Sequence, residues 1–283
     1  MTGLTNAIAF QGTLGAYSHQ ACSEMFPDMM ALPSNTFEDA IAAVREGRAD
    51  LAMLPVENST YGRVADIHHL LPESGLHIVG EHFLRVHIAL LGVPGARIED
   101  IRTAMSHTVL LGQCRAFLRA HGIATRTGAD TAGSAEIVAA TGDPALAGLA
   151  SELAGRIYGL EVLARHIEDQ KNNTTRFLVM AREPRPALPG DVLTSFVFRV
   201  RNLPAALYKA LGGFATNGVN MLKLESYMVD GEFTATQFYA DIEGHPDDLP
   251  VARALEELRY FTTRLEILGT YPANPFRQAR AAG

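Results

Sequence analysis

The chain has 283 residues, 47% hydrophobic and 19% charged, a globular composition long enough for about two domains at the usual ~150 residues each. Its 24 basic and 31 acidic side chains leave a formal charge of −7, which argues against nucleic acid or an anionic membrane as partner but leaves room for a small anionic ligand. Cys22 and Cys114 have no metal-type spacing, Met1 to Phe10 has no signal-peptide pattern, and no apolar run reaches the ~18 residues of a membrane span, so a cytoplasmic protein with two free thiols is expected.

Ala7-Ile8-Ala9-Phe10 reads as a short buried strand opening into Gln11-Gly12-Thr13-Leu14-Gly15-Ala16-Tyr17-Ser18-His19. The glycines permit a tight turn, and Ser18 is placed to cap a helix running to about Phe26. Such a loop is either an anion site or simply the joint between a strand and a helix. Thr36-Phe37-Glu38-Asp39 starts a helix through Val44, with Phe37, Ala40, Ile41 and Val44 at helical spacing. Asp50 to Leu54 is the next strand, and Pro55-Val56-Glu57-Asn58-Ser59-Thr60-Tyr61-Gly62 a polar loop at its C-terminal end, where open α/β sheets collect ligands. Residues 76 to 93 are rich in Ile, Val and Leu. His77, His82 and His87 in that stretch match no zinc spacing and read as strand histidines, so no metal is expected.

A second α/β unit follows. Thr103-Ala104-Met105 leads through Ser106-His107-Thr108 into a helix carrying Gln113, Cys114 and Leu118. Arg126 to Ala129 leads through Asp130-Thr131-Ala132-Gly133-Ser134 into a helix ending near Gly142, and Leu146 to Ala150 through Ser151 into a helix up to Tyr158. Three strands thus end in a small hydroxyl residue positioned to cap the next helix, and such ends converging on one cleft would supply donors for a polyanionic small molecule. Gly142-Asp143-Pro144 is a turn, and His166 to Asn172 a polar connection. It delivers Asn172-Asn173-Thr174-Thr175-Arg176-Phe177 directly ahead of the strand-like Leu178-Val179-Met180. Thr175 is β-branched, so its hydroxyl is aimed at little entropic cost, and Arg176 offers a fork that suits carboxylates. The plain alternative is a capped turn entering an ordinary strand. Residues 184–192, rich in proline and charge, form a linker. Beyond it Thr194 to Val200 is a strand, Pro204 enters a helix that stops at Asn217-Gly218, and Val219 to Val229 and Phe233 to Ile242 make a hairpin at Asp230-Gly231. A helix from about Pro250 to Phe261 and a strand from Leu265 to Tyr271 complete a ferredoxin-like βαββαβ order.

Five of these segments together resemble the prephenate dehydratases. They are Gly12 to His19, Pro55-Val56-Glu57-Asn58-Ser59, Ser106-His107 with Gln113-Cys114, Asp130-Thr131-Ala132, and Asn173-Thr174-Thr175-Arg176-Phe177, in that family's order. The resemblance implies an α/β protein with a two-lobed, periplasmic-binding-protein-like catalytic domain over residues 1–183, its lobes being about 1–80 with 167–183, and 81–166. It implies a βαββαβ regulatory (ACT) domain over 193–272 and a tail over 273–283. The activity it implies is decarboxylating dehydration of prephenate to phenylpyruvate without metal or organic cofactor. Thr175, Arg176 and Phe177 would be catalytic, and Thr13, Ser18, Glu57, Asn58, Ser59, Ser106, His107, Gln113, Thr131 and Asn173 would bind substrate. Arogenate is the alternative substrate, and a non-catalytic cytosolic binding protein the alternative function. Leu203-Pro204-Ala205-Ala206-Leu207 and Leu224-Glu225-Ser226-Tyr227 fall where the family's regulatory domain carries Pro-Gly-Ala-Leu and Glu-Ser-Arg-Pro. A phenylalanine effector would then be held at a homodimer or homotetramer interface by Pro204, Ala205, Ala206, Leu207, Asn217, Gly218, Asn220, Glu225 and Ser226. Ala205 in place of glycine, and Tyr227-Met228 in place of arginine-proline, depart from the family's pattern.

Overall fold

The computed structural model describes residues 5–186, 190–228 and 235–277. The expected Asp230-Gly231 turn, part of the linker and part of the tail lie outside these residues. In chain order the elements are β1 (Ala7–Gln11), α1 (Tyr17–Met25), β2 (Met30–Ser34), α2 (Phe37–Arg45), β3 (Leu51–Asn58), β4 (Gly62–Arg63), α3 (Ala65–Leu70), β5 (His77–Arg85) and β6 (Ala89–Gly92). There follow β7 (Thr103–Ser106), α4 (Thr108–Gln113), α5 (Arg115–Ala120), β8 (Ala124–Thr127), α6 (Thr131–Thr141), β9 (Leu146–Ala150), α7 (Glu152–Tyr158), β10 (Glu161–Ala164) and β11 (Thr174–Ala181). The last six are β12 (Val192–Val200), α8 (Ala206–Thr216), β13 (Met221–Met228), β14 (Ala235–Glu243), α9 (Leu249–Phe261) and β15 (Thr262–Pro272). None of the described helices is long and apolar enough to cross a membrane.

The strands form three sheets. The first has the order β2-β1-β3-β11-β5, with β4 added to β3; the second has the order β10-β6-β9-β7-β8. Parallel pairing of β1 with β2 and β3, and of β7 with β8 and β9, follows from helices that return the chain to the same end of a sheet. The chain passes from the first sheet to the second between β5 and β6, and returns between β10 and β11. The second sheet is buried under two apolar clusters, one around Leu90, Ala104, Leu111 and Leu149, the other around Leu91, Ala135, Val138 and Ala154.

Helix starts follow local side-chain chemistry, with three differences from the sequence reading. Thr36 and Asp39 form a reciprocal capping box on α2, and Ser151 accepts from Ala154 N to cap α7. At α6 the cap is the Asp130 carboxylate rather than a hydroxyl, and at α4 it is the His107 ring, which accepts from Val109 N. Ser18 caps nothing: α1 starts after Ala16, so Ser18 lies inside the first turn and is buried. The strand β3 also runs four residues further than expected, through Pro55 to Asn58, and β11 begins at Thr174. Each polar motif is therefore split: Pro55 to Asn58 and Thr174 to Phe177 are strand residues, while Ser59 to Tyr61 and Asn172-Asn173 stay in the connections.

Two compact units emerge, Met1–Val64 with Phe83–Phe177, and Ala65–His82 with Leu178–Gly283. In the second unit the antiparallel sheet β13-β14-β12-β15 carries α8 and α9 on one face, around Phe196, Phe198, Phe214, Phe238 and Leu258. This is the expected ferredoxin-like order. Its other face is not bare. His68 of α3 meets the Tyr239 ring edge-on at 5.3 Å, and Gly269 approaches β5 so closely that a Cβ there would lie 2.1 Å from the Ile78 carbonyl oxygen. The buried Glu81 carboxylate takes two hydrogen bonds of 2.7 Å from the Arg277 guanidinium.

Candidate active site

The strands β3 and β11 lie side by side, and their polar ends interlock. Asn58 Oδ1 accepts from Thr60 N and Tyr61 N at 2.9 and 3.0 Å, a side-chain turn that fixes which way the amide faces. Its Nδ2 must then point the other way, where it donates to Asn173 Oδ1 at 2.6 Å and to Thr175 Oγ1 at 3.0 Å. Ser59 ties the same two segments together, donating through Oγ to the Asn172 carbonyl at 2.7 Å and accepting from Thr174 N at 2.9 Å. Thr175 Oγ1 is consequently an acceptor within the protein, and its own proton has no acceptor among the described residues.

Strand alternation decides how the rest of the motif is used. Side chains two apart share a face, so Thr175 and Phe177 point one way and Thr174 and Arg176 the other. Arg176 is 2% exposed and donates to Glu57 Oε1 at 3.0 Å. The Arg176 guanidinium thus sits on the face opposite Thr175, where it engages the end of β3. Phe177 is buried and falls on the same face of the strand as Thr175.

The glycine loop before α1 packs onto the second sheet's helices. Gly15 has φ +92, and a Cβ there would come within 2.9 Å of Ala154, so only glycine allows this approach. Its carbonyl accepts from Ser151 Oγ at 2.7 Å, and the Leu14 carbonyl accepts from Tyr158 OH at 2.8 Å. Burial pushes the Tyr158 phenol above its ordinary value, and a hydrogen bond with Thr13 opposes that shift. The loop's amides are largely spent inside the molecule: Gly12 N bonds Ser34 O, Gly15 N bonds His19 Nδ1, and Ala16 N bonds Thr13 O. Tyr17 OH donates to the His87 carbonyl at 3.0 Å, and burial, reinforced by Cys114 and Glu168, pushes its phenol well above the usual range.

The structure therefore brings Glu57, Asn58, Ser59, Asn173, Thr175 and Arg176 to the adjoining ends of β3 and β11, with Asn58, Asn173 and Thr175 in one hydrogen-bonded cluster and Glu57 paired with Arg176 on the opposite face. Ser18, Ser106, His107, Gln113 and Thr131 lie on other elements, and none of them hydrogen-bonds that cluster among the described residues. Ser106 Oγ is committed to the Leu149 carbonyl at 2.7 Å. Gln113 is buried, and its Oε1 has no partner among the described residues. Tyr158 and Ser151, which hold the glycine loop, are not among the site residues read from sequence; the cap signal at Ser151 is local, whereas its second bond reaches a residue 136 positions away.

In the second unit, Ala205 takes φ +61 directly before α8, and Ala206 and Leu207 begin that helix. Asn217 Nδ2 closes its far end on the Gly213 carbonyl at 2.8 Å and reaches Glu257 Oε1 at 3.1 Å. Pro204, Gly218 and Asn220 are exposed, and Glu225 and Ser226 stand on β13. Tyr227 is buried 3% exposed, its ring 5.7 Å from that of His69, so it occupies packing space rather than open surface.

Comparison with known proteins supplies a family. The prephenate dehydratase family model matches residues 8–185. A bifunctional N-acyl-homoserine lactone acylase/prephenate dehydratase of Komagataeibacter europaeus is 53% identical over 274 residues, 96% of this chain and 97% of that protein. The arogenate dehydratase/prephenate dehydratase 1 of Arabidopsis thaliana, a chloroplastic protein, is 39% identical over 95% of this chain and 73% of its own length. The solved structure of prephenate dehydratase in complex with L-Phe from Arthrobacter aurescens has 29% identity and a TM-score of 0.85, covering 98% of this chain and 97% of that one.

Proposed function

The chain belongs to the prephenate dehydratase family, and we propose that it converts prephenate to phenylpyruvate with Thr175 as the acid at the departing ring hydroxyl. The observation that carries this reading is the Asn58 amide donating to Thr175 Oγ1 at 3.0 Å. With its acceptor role filled, the threonine keeps its proton for a ligand, and the incoming hydrogen bond polarises the O–H bond. In the reaction the C–C bond to the ring carboxylate breaks, releasing carbon dioxide, and its electron pair enters the ring. The bond from ring carbon to hydroxyl oxygen breaks in turn, and the hydroxyl takes the Thr175 proton and leaves as water. Solvent returns a proton to the threonine oxygen, so one proton is consumed per turnover. Aromatisation supplies the driving force, which is why a positioned donor suffices and the chemistry asks for no cofactor. The apolar wall at Phe177 keeps the leaving carboxylate poorly solvated. Arg176 acts one layer back, fixing Glu57 and with it the strand end that aims Asn58.

Purified protein assayed with prephenate and arogenate side by side tests the reading. Thr175→Ala is expected to lower kcat by about 10²–10⁴-fold with a smaller change in KM, the usual worth of a positioned acid, and Thr175→Ser to retain part of the activity. Asn58→Ala should lower kcat as well, because it frees the threonine to rotate. Full turnover in Thr175→Ala overturns the assignment, and no turnover of either substrate by the wild type favours a binding protein.

Phenylalanine is the effector in this reading, held by the C-terminal βαββαβ unit acting as an ACT domain. The Arthrobacter relative's structure is of a complex with L-Phe, and Asn217, Gly218, Asn220, Glu225 and Ser226 are retained around α8 and β13. The Ala205 methyl weakens the site without closing it. Calorimetry and an activity titration should register binding and inhibition by millimolar phenylalanine; neither heat nor slowing would leave the unit a structural module.

A second activity is favoured by one specific observation, the 53% identity to a protein named as both an N-acyl-homoserine lactone acylase and a prephenate dehydratase. Release of homoserine lactone from an N-acyl-homoserine lactone, followed by mass spectrometry in wild type and Thr175→Ala, tests it. Loss in both activities together points to a shared site.

A further inference from the structure

The two connections between the first and second sheets meet at a cluster that the dehydratase chemistry does not use. His87, read from sequence as a strand histidine, lies instead on the connection from β5 to β6, and His166 and Glu168 lie on the one from β10 to β11. His87 Nδ1 is 2.9 Å from Glu168 Oε1 and 2.9 Å from His166 Nδ1, and His166 Nδ1 is 3.9 Å from the same carboxylate oxygen. These distances cannot all be good hydrogen bonds. A single imidazole nitrogen carries either one hydrogen or one lone pair. If His87 Nδ1 donates to Glu168, it has nothing to offer a proton from His166, and sharing its one hydrogen between both partners leaves each bond bent; if it accepts from His166, its lone pair faces a carboxylate.

A cation relieves the crowding, because all three atoms can then offer it a lone pair. The point equidistant from the three atoms lies about 2.0 Å from each, the ordinary zinc–nitrogen and zinc–oxygen distance, and side-chain adjustments of a few tenths of an ångström would open the two 2.9 Å edges toward tetrahedral angles. We propose that His87, His166 and Glu168 bind a divalent cation of the zinc type, which staples the two connections between the sheets. Two imidazoles with one carboxylate suit zinc, cobalt or nickel far better than magnesium or calcium, which favour oxygen alone.

The surroundings agree with a held cation. Glu168 Oε2 accepts from Ile88 N at 2.9 Å, which fixes the carboxylate and leaves Oε1 facing the two rings. His166 sits at φ +53, a left-handed backbone that a non-glycine residue adopts at a cost and that the surrounding structure must enforce. The side chain of Glu168 is 5% exposed, while those of His87 and His166 are 47% and 57% exposed, so water can complete the coordination. The staple lies close to the catalytic strand: Val86 N bonds the Asn173 carbonyl at 3.0 Å, and Arg85 Nη2 bonds Asn172 Oδ1 at 3.3 Å. No local motif announces the site, since the ligands are 79 and 81 positions apart.

The test uses tag-free full-length protein stripped with a chelator and titrated with Co²⁺, whose visible spectrum reports low-coordinate nitrogen and oxygen ligation, and in parallel with Zn²⁺ by calorimetry. One equivalent is expected to bind, with a rise in the thermal midpoint. His166→Ala and Glu168→Gln should each weaken binding by at least about tenfold, as loss of a ligand must exceed loss of an outer partner. Glu168→Gln keeps an acceptor for Ile88 N, so its fold is preserved and its loss of metal is interpretable. His77→Ala and His82→Ala should bind as the wild type does. Equal affinity in wild type and in both ligand variants, or no equivalent bound at about 100 μM metal, a concentration that fills any site tighter than ~10 μM, overturns the proposal.

Discussion

At Asn58 and His19 single side chains set what their neighbours are able to do. The Asn58 amide is oriented by two backbone donors and so presents both its hydrogens to the β11 motif. His19 does the reverse job, accepting from Gly15 N at 3.0 Å while stacked on Phe10 at 5.4 Å with the rings 7° from parallel. Burial lowers its pKa from 6.5. The neutral ring is therefore the one the fold selects, and protonation removes the acceptor that holds the glycine loop. A depressed histidine pKa contributes stability in full above the unfolded value, and that contribution is lost as pH falls from 6.5 through the lower folded value. Thermal midpoints measured from about pH 8 to pH 5 should fall more steeply in the wild type than in His19→Gln, whose side chain carries no titrating group. Parallel curves would remove His19 from the account.

The N-terminus of α8 is an element started against its own backbone preference. Ala205 takes φ +61 with no side-chain cap, in the place where the family's pattern has glycine. A left-handed alanine costs about 1–2 kcal/mol, of which the extra unfolded-chain freedom of glycine cancels about 0.4–1 kcal/mol. Ala205→Gly should thus stabilise the protein by about 0.5–1 kcal/mol, read as a higher urea midpoint at unchanged slope. A loss of stability instead would mean the methyl makes a contact worth more than the strain.

The whole molecule leaves a particular surface unsatisfied. One face of the four-stranded sheet is covered by α8 and α9, and Ala65–His82 of the same chain packs with the C-terminal unit, so an open sheet face is not the reason to associate. The edge offers a reason: among the described residues β13 is a terminal strand in the sheet order, with Leu222, Leu224 and Met228 exposed, and Tyr208 on α8 is 81% exposed. An exposed apolar edge is a template for pairing. We expect a homo-oligomer, a dimer or dimer of dimers, by light scattering at micromolar concentration, and Leu224→Lys to shift it toward monomer. A wild-type monomer under those conditions would rule this out.

Much of the architecture was open to sequence reading because the signals involved are local. Helical spacing after Thr36, the strand–helix alternation through Tyr158, and the βαββαβ order after the linker are set by periods of two and 3.6 residues and by side chains that cap their own backbone. The Thr175 motif was legible as a cluster of residue types, yet its use was not. Once β11 starts at Thr174, alternation separates Thr175 from Arg176, and only the pairing of strands more than a hundred residues apart sets Asn58 against one and Glu57 against the other. The same holds for the Gly15 loop on α7, for His68 beneath the C-terminal sheet and for the cluster of His87, His166 and Glu168. Each depends on where distant segments are brought by burial of apolar surface, and burial is nondirectional: it dictates that segments meet, while the register in which they meet belongs to the folded molecule alone.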